Sequence, residues 1–386
     1  MARLGELAAL RMVFALSAAG FATWFPRIPD VKAALDVDLF TLSICFFMLP
    51  AGTLLGFAIA PIVLAKIGTR EASRGINALF ILSFIAPAFA TSPFALGAAL
   101  FLSGGLIAQV EVAMNARAGE IERRDGRRVM ASCHAYWSLG AMAGALIGGA
   151  AGALGIGFAL QQVLVAPVIA LLAFAVGSRL TDRRDEAPAA APKPRLRLDP
   201  SLRALCVLPM AALLIEGAMM DWSALFLEAA AGAGPAAAGL VFALFSLAMA
   251  ATRFLGDSLI ERHGPRSILI LCAVLGAVGV GVFATAGTVI QAALGAVITA
   301  LGVANVYPIA MSIAGSRDGR QSEAAIAIVA SAAFSVYLIG PPAIGAIADR
   351  FGLGAALLAT GPLSLLPLLL LRWVAPAERP LRTGAG

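Results

Sequence analysis

Glu216 lies in the middle of an apolar stretch, Ile215-Glu216-Gly217-Ala218-Met219-Met220-Asp221-Trp222, and a carboxyl so placed is the first group in this sequence that could do chemistry. An ionised side chain at the centre of a lipid-facing helix costs several kcal/mol or more, so such a group faces a wet cavity or a partner. There it could bind a proton in one conformation and release it in another, or it could be a hydrogen-bonded acid that tightens helix packing. Asp221 follows by a little more than one turn and, at 100° per residue, points about 140° away, so the two are not expected to share a proton. Trp222 could stack on a solute ring or mark headgroup level.

Glu111 and Asn115 are four residues apart and share a helix face, with Gln109 nearby. Together they could hydrogen-bond a polar solute while the carboxyl titrates, or they could pair with Arg117. His134 has the side chain whose ordinary titration lies nearest neutrality, so it could relay a proton or could donate to a carbonyl. Asn305, Tyr307 and Tyr337 are the remaining intramembrane hydrogen-bonding candidates. Arg253, Asp257 and Glu261 form a ladder spaced by four, which reads as a gate at one end of a helix. No phosphate-binding glycine loop, no Ser-His-acid constellation and no metal-ligand spacing is present, so neither an enzyme, a cofactor nor a metal is expected.

These side chains must be held by long apolar rods. The chain has 386 residues, 60% of them hydrophobic and 13% charged, with a mean hydropathy of +0.92. Hydrocarbon cannot satisfy backbone polar groups, so each crossing needs a helix of about 20 apolar residues. The expected spans are residues 8–27, 39–60, 75–92, 94–117, 132–155, 158–178, 203–228, 236–260, 267–286, 289–313, 323–348 and 353–374. Among Lys and Arg, only Arg27, Lys32 and Arg350 fall on the connections opposite the basic set. Basic loops stay cytoplasmic, which puts both termini inside the cytoplasmic membrane. The net charge of +6 is spread over alternate loops and forms no single stripe, which excludes nucleic acid as a partner.

The first apolar run continues into Trp24, Phe25 and Pro26 without a small-residue cleavage site and is expected to remain as the first helix. Cys45, Cys133, Cys206 and Cys272 lie in or beside apolar segments and read as packing residues. Gly140, Gly144, Gly148 and Gly152 clear one face of the fifth span for close approach of another backbone, and Pro341 and Pro342 are expected to kink the eleventh. The polar stretch from Arg179 to Arg203 reads as a linker between residues 1–180 and 203–386, with 181–202 on the cytoplasmic side. Arg124-Asp125-Gly126-Arg127 recurs as Arg317-Asp318-Gly319-Arg320, each joining the fourth and fifth helix of its half, as a parallel repeat would require.

Two such halves with a basic middle linker resemble the major facilitator superfamily over essentially the whole chain. The loop from Gly256 through Glu261, Arg262 and Gly264 to Arg266 resembles the signature of that superfamily. Its first-half counterpart, Pro61, Ala65, Lys66, Gly68 and Arg70, has lost the acid. Trp24 to Lys32, Val112 to Glu122, His134 to Gly140, Glu216 to Trp222, Gly302 to Pro308 and Gly340 to Asp349 resemble the MosC-like and YbjJ-like branch.

The resemblance implies an all-α polytopic membrane protein of 12 transmembrane helices in two pseudo-symmetric six-helix bundles. It implies a solute site between them near the midplane and a gate at Arg253, Gly256, Asp257, Glu261, Arg262 and Gly264. Glu261, helped by Asp257, would dock on the start of the fifth helix. The pathway candidates are Glu216, Asp221, Trp222, Glu111, Asn115, His134, Asn305, Tyr307, Tyr337 and Trp24. The function so implied is secondary transport of a small polar solute, with proton coupling through Glu216 or Glu111. The alternative is a receptor or assembly protein that keeps the fold without flux. A small-molecule solute, protons and the lipid bilayer are the expected partners, with no obligate protein partner.

Overall fold

The computed structural model describes residues 2–126, 129–181, 199–316 and 320–374. Among the described residues every regular element is helical. The first half contains α1 (Ala2–Ala22), the short α2 (Ile28–Leu35), α3 (Leu39–Glu71), α4 (Asn77–Ser83), α5 (Pro93–Asp125), α6 (Met130–Ala153) and α7 (Phe158–Gly177). The second contains α8 (Pro200–Ala231), α9 (Pro235–Ala284), α10 (Val289–Val303), α11 (Val306–Gly315), α12 (Arg320–Phe351), α13 (Leu353–Leu358) and α14 (Leu366–Val374). Linker residues 182–198, and positions 127 and 317–319 of the repeated loop, lie outside the described residues.

Among the described residues, ten apolar helical stretches are long enough to cross a bilayer. One of them, Leu39–Phe89, contains both the second and the third expected span. The remaining expected span is α6, whose glycines, serines and His134 dilute its apolarity. Its 24 residues at 1.5 Å each still reach about 36 Å, more than the hydrocarbon thickness.

Local chemistry sets where the rods start and break. Asp38, Ser92, Asp199 and Thr288 each accept a hydrogen bond from the backbone N–H three residues on, satisfying an amide that the helix leaves free. Gly68 (φ 83°, ψ 163°) interrupts α3 and Gly264 (φ 75°, ψ 154°) interrupts α9, in a backbone region that side chains other than glycine avoid. The two glycines occupy matching places in the two signature loops, so the loop geometry is duplicated even though Ala65 has replaced the acid.

The glycine stripe of α6 packs on α1. A Cβ at Gly140, Gly144 or Gly148 would stand 1.9, 2.2 or 2.2 Å from the carbonyl oxygens of Ala15, Ala19 and Thr23, which repeat at the same spacing. The halves meet along two seams, α6 against the first part of α9 and α3 against α12. The backbones approach most closely near the ends of these helices opposite the basic loops: Gly149 sits against Pro235 and Gly239, and Gly345 against Ser43 and Leu39. Phe25 also packs on Phe242 there, with ring centroids 5.0 Å apart. Deeper, towards the basic end, the seams are bridged by ring pairs at wider spacing, Phe57 with Phe334 at 6.2 Å and Tyr136 with Phe254 at 6.3 Å.

Candidate functional site

A cavity of about 210 Å³ lies between the halves. Glu111 and Asn115 face it from α5, and His134 and Trp137 from α6. From the second half come Glu216 and Asp221 on α8, Arg253 on α9, Tyr307 on α11 and Tyr337 on α12. Trp24 and Phe46 line its outer end, with ring centroids 5.9 Å apart and edge to face.

Arg253 organises the polar centre. Its Nη2 donates to both carboxylate oxygens of Glu216 at 3.3 Å, and its Nη1 donates to Ser138 Oγ on α6 at 2.9 Å. Among the hydrogen bonds between described residues, the bond to Ser138 is the one that joins the two halves. The Arg253 and Glu216 side chains are 13% and 19% exposed, so the pair is wet rather than sealed. His134 lies within Coulombic reach of Arg253 and stacks edge-on against Phe14 at 5.5 Å. Tyr337 lies within Coulombic reach of Glu216, Glu111, Asp221 and Arg253 together. Glu111 and Asp221 make no hydrogen bond or ion pair with the described residues. Asn115 Oδ1 and Trp24 Nε1 are buried and likewise without a hydrogen-bond partner.

Several expectations are corrected. Arg253, expected in a gate ladder, lines the cavity; as a basic residue well inside the 236–260 span, it carried a signal of that depth. Asp221 and Glu216, about 140° apart around α8, both line the cavity. The wetted residues of α8 (Glu216, Gly217, Met220 and Asp221) span an arc of about 140°, because the helix projects into the space instead of offering one narrow stripe. Trp222 is fully buried behind Phe46 at 5.5 Å and does not line the cavity. Asn305 is also buried, packed where Gly256 lacks a side chain: a Cβ on that glycine would lie 2.5 Å from Asn305 Oδ1. Gln109 donates to Gly56 O at 2.7 Å and holds α5 to α3, away from Glu111.

Of the expected gate residues, Glu261 and Arg262 are exposed in the last turn of α9 before the Gly264 break, and the Asp257 side chain lies outside the described residues. At the start of α6, where Glu261 was expected to dock, Glu122 of the same half accepts hydrogen bonds from the backbone N–H groups of Val129 and Met130 at 2.7 and 2.9 Å. Residues of the site that sequence reasoning missed are Ser138, which looks like any helix serine, and the aromatic wall around Phe46 and Phe334.

Long apolar helices in two halves around a wet, acid-lined cavity define a polytopic transporter fold. The model of the Major Facilitator Superfamily matches residues 210–386. A transporter named y4wD from Sinorhizobium fredii is 30% identical over 349 residues, covering 87% of this chain and 89% of the relative. Membrane protein MosC from Rhizobium meliloti is 28% identical, covering 91% of this chain and 86% of its own. Among solved structures, the D-xylose–proton symporter superposes with a TM-score of 0.79 at 12% identity over 96% of this chain and 98% of its own, which speaks for the fold alone. The chain belongs to the major facilitator superfamily.

Proposed function

We propose that the protein is a secondary transporter of the cytoplasmic membrane that moves a small polar solute through the central cavity by alternating access, coupled to protons. In this reading residues 1–180 and 203–386 are the two rocking units, 181–202 is the cytoplasmic linker, and both termini are cytoplasmic, as the basic loops favour. The observation that carries the reading is Arg253, which holds Glu216 in its own half and Ser138 in the other. A proton on Glu216 would remove the charge that holds the guanidinium and so couple titration to the contact between halves. The close packing at the outer ends and the exposed Glu261 at the basic end support a conformation open to the cytoplasm.

Reconstituted vesicles test this. Saturable counterflow of a labelled solute is expected, and Glu216→Gln is expected to abolish pH-gradient-driven accumulation while sparing exchange. Full proton-driven accumulation by that variant removes Glu216 from the coupling, and solute binding without any flux removes transport itself.

A further inference from the structure

The cavity wall carries three acidic side chains, Glu111, Glu216 and Asp221, against the single guanidinium of Arg253, a formal balance of −3 + 1 = −2 when all are ionised. Glu216 and Arg253 answer each other. Glu111 and Asp221 have no partner among the described residues, and a carboxylate without counter-charge at this depth is costly. Asn115 lies one turn beyond Glu111 on the same helix face and lines the cavity with it.

Aromatic rings complete this corner. Phe334 lies 6.1 Å from Tyr307, 5.8 Å from Tyr337 and 6.2 Å from Phe57, and both tyrosines lie within Coulombic reach of Glu111. Carboxyls without a counter-charge beside ring faces suit a ligand that brings positive charge.

Resting on the transport reading above, we propose that the solute is an organic monocation, a protonated amine on an apolar body, whose ammonium is received by Glu111 beside the rings of Tyr307, Phe334 and Tyr337. The amine brings one positive charge. The low-dielectric wall balances it by releasing the proton that otherwise neutralises Glu111, which passes to water, so solute and proton exclude each other. His134, Arg253, Glu216, Asp221, Tyr307 and Tyr337 face the same space and set the field in which that exchange occurs.

The test uses three probes of matched size on the purified full-length protein: 2-phenylethylamine, 2-phenylethanol and 3-phenylpropanoate. Binding is read by quenching of tryptophan fluorescence, since Trp24 and Trp137 line the cavity. The amine is expected to bind at least tenfold tighter than the alcohol, with the carboxylate weakest. Its affinity should rise from pH 6 to pH 8, and a pH dye should record proton release on binding. Glu111→Gln should remove the preference for the amine and the proton release, while Glu111→Asp, which keeps the charge, should retain both and control for folding.

Equal binding of the three probes, preference for the carboxylate, or no saturable response to the amine overturns the inference. Amine binding without flux in vesicles would fail the transport reading and leave the cation site standing. Flux confined to neutral or anionic solutes would do the reverse.

Discussion

Arg117 and Arg253 are both arginines inside the bundle with carboxylate partners, and their surroundings differ. Arg117 is 1% exposed at the basic end of α5. It donates to Glu6 of α1 and, at 2.5 Å, to Glu120. Glu6 also accepts from Arg124 Nη1 at 2.8 Å and from Thr181 Oγ1 at 2.6 Å, so one sealed network fastens the start of α1, the end of α5 and the chain beyond α7. Arg253 is 13% exposed, and its contacts to Glu216, at 3.3 Å, are longer. Burial with several short partners makes a charge part of the frame. Water on one side and looser contacts make it exchangeable, and an exchangeable charge is what a moving site requires.

The largest effect should come from breaking the sealed network. Arg117→Met leaves Glu6 underpaired in a buried place and should cost about 3–5 kcal/mol, seen as a large fall in Tm in detergent. A Tm within about 2 °C of the parent would put Arg117 in the same class as Arg253. For Arg253→Met the stability cost should be only about 1–2 kcal/mol, between the exposed and buried limits, whereas vesicle transport should vanish. Transport that survives with a collapsed Tm would invert the comparison.

Removing only the cross-half bond is milder. Ser138→Ala should bias the equilibrium between the two open states by about 1 kcal/mol, roughly fivefold, without lowering Tm. Labelling rates of a reporter cysteine on the cytoplasmic side measure it, and unchanged rates would reduce Ser138 to helix packing.

The smallest effect lies outside the spans, at Asp38. Its carboxylate accepts from Thr41 N at 2.6 Å and caps α3, and chiefly that backbone bond holds its pKa below the ordinary 3.8. A depressed folded-state pKa contributes stability above the unfolded value and loses it as pH falls through the folded one. The small Tm difference between the parent and Asp38→Ala should therefore be present at pH 7 and fade in acid below the ordinary Asp range. A difference that persists there would show that the cap does not depend on charge.

The sequence by itself determined the rods, the alternation of basic loops, the glycine stripe and most of the polar residues that line the cavity. Hydrocarbon acts on each segment locally, through the length of an apolar run and the cost of a charge within it, so Glu216, Glu111, His134 and Tyr337 could be recognised one at a time. Only the tertiary structure decided which of them share water. It paired Arg253 with Glu216 across 37 positions and with Ser138 across 115. It turned a wide arc of α8 into the cavity, so that Asp221 joined Glu216, and it hid Trp222 behind Phe46 and Asn305 against Gly256. It also placed the Glu122 carboxylate at the start of α6. The reason is geometric: a helix fixes the angle between its own side chains, while the partner each one meets depends on how its rod is rotated against neighbours that are remote in the chain.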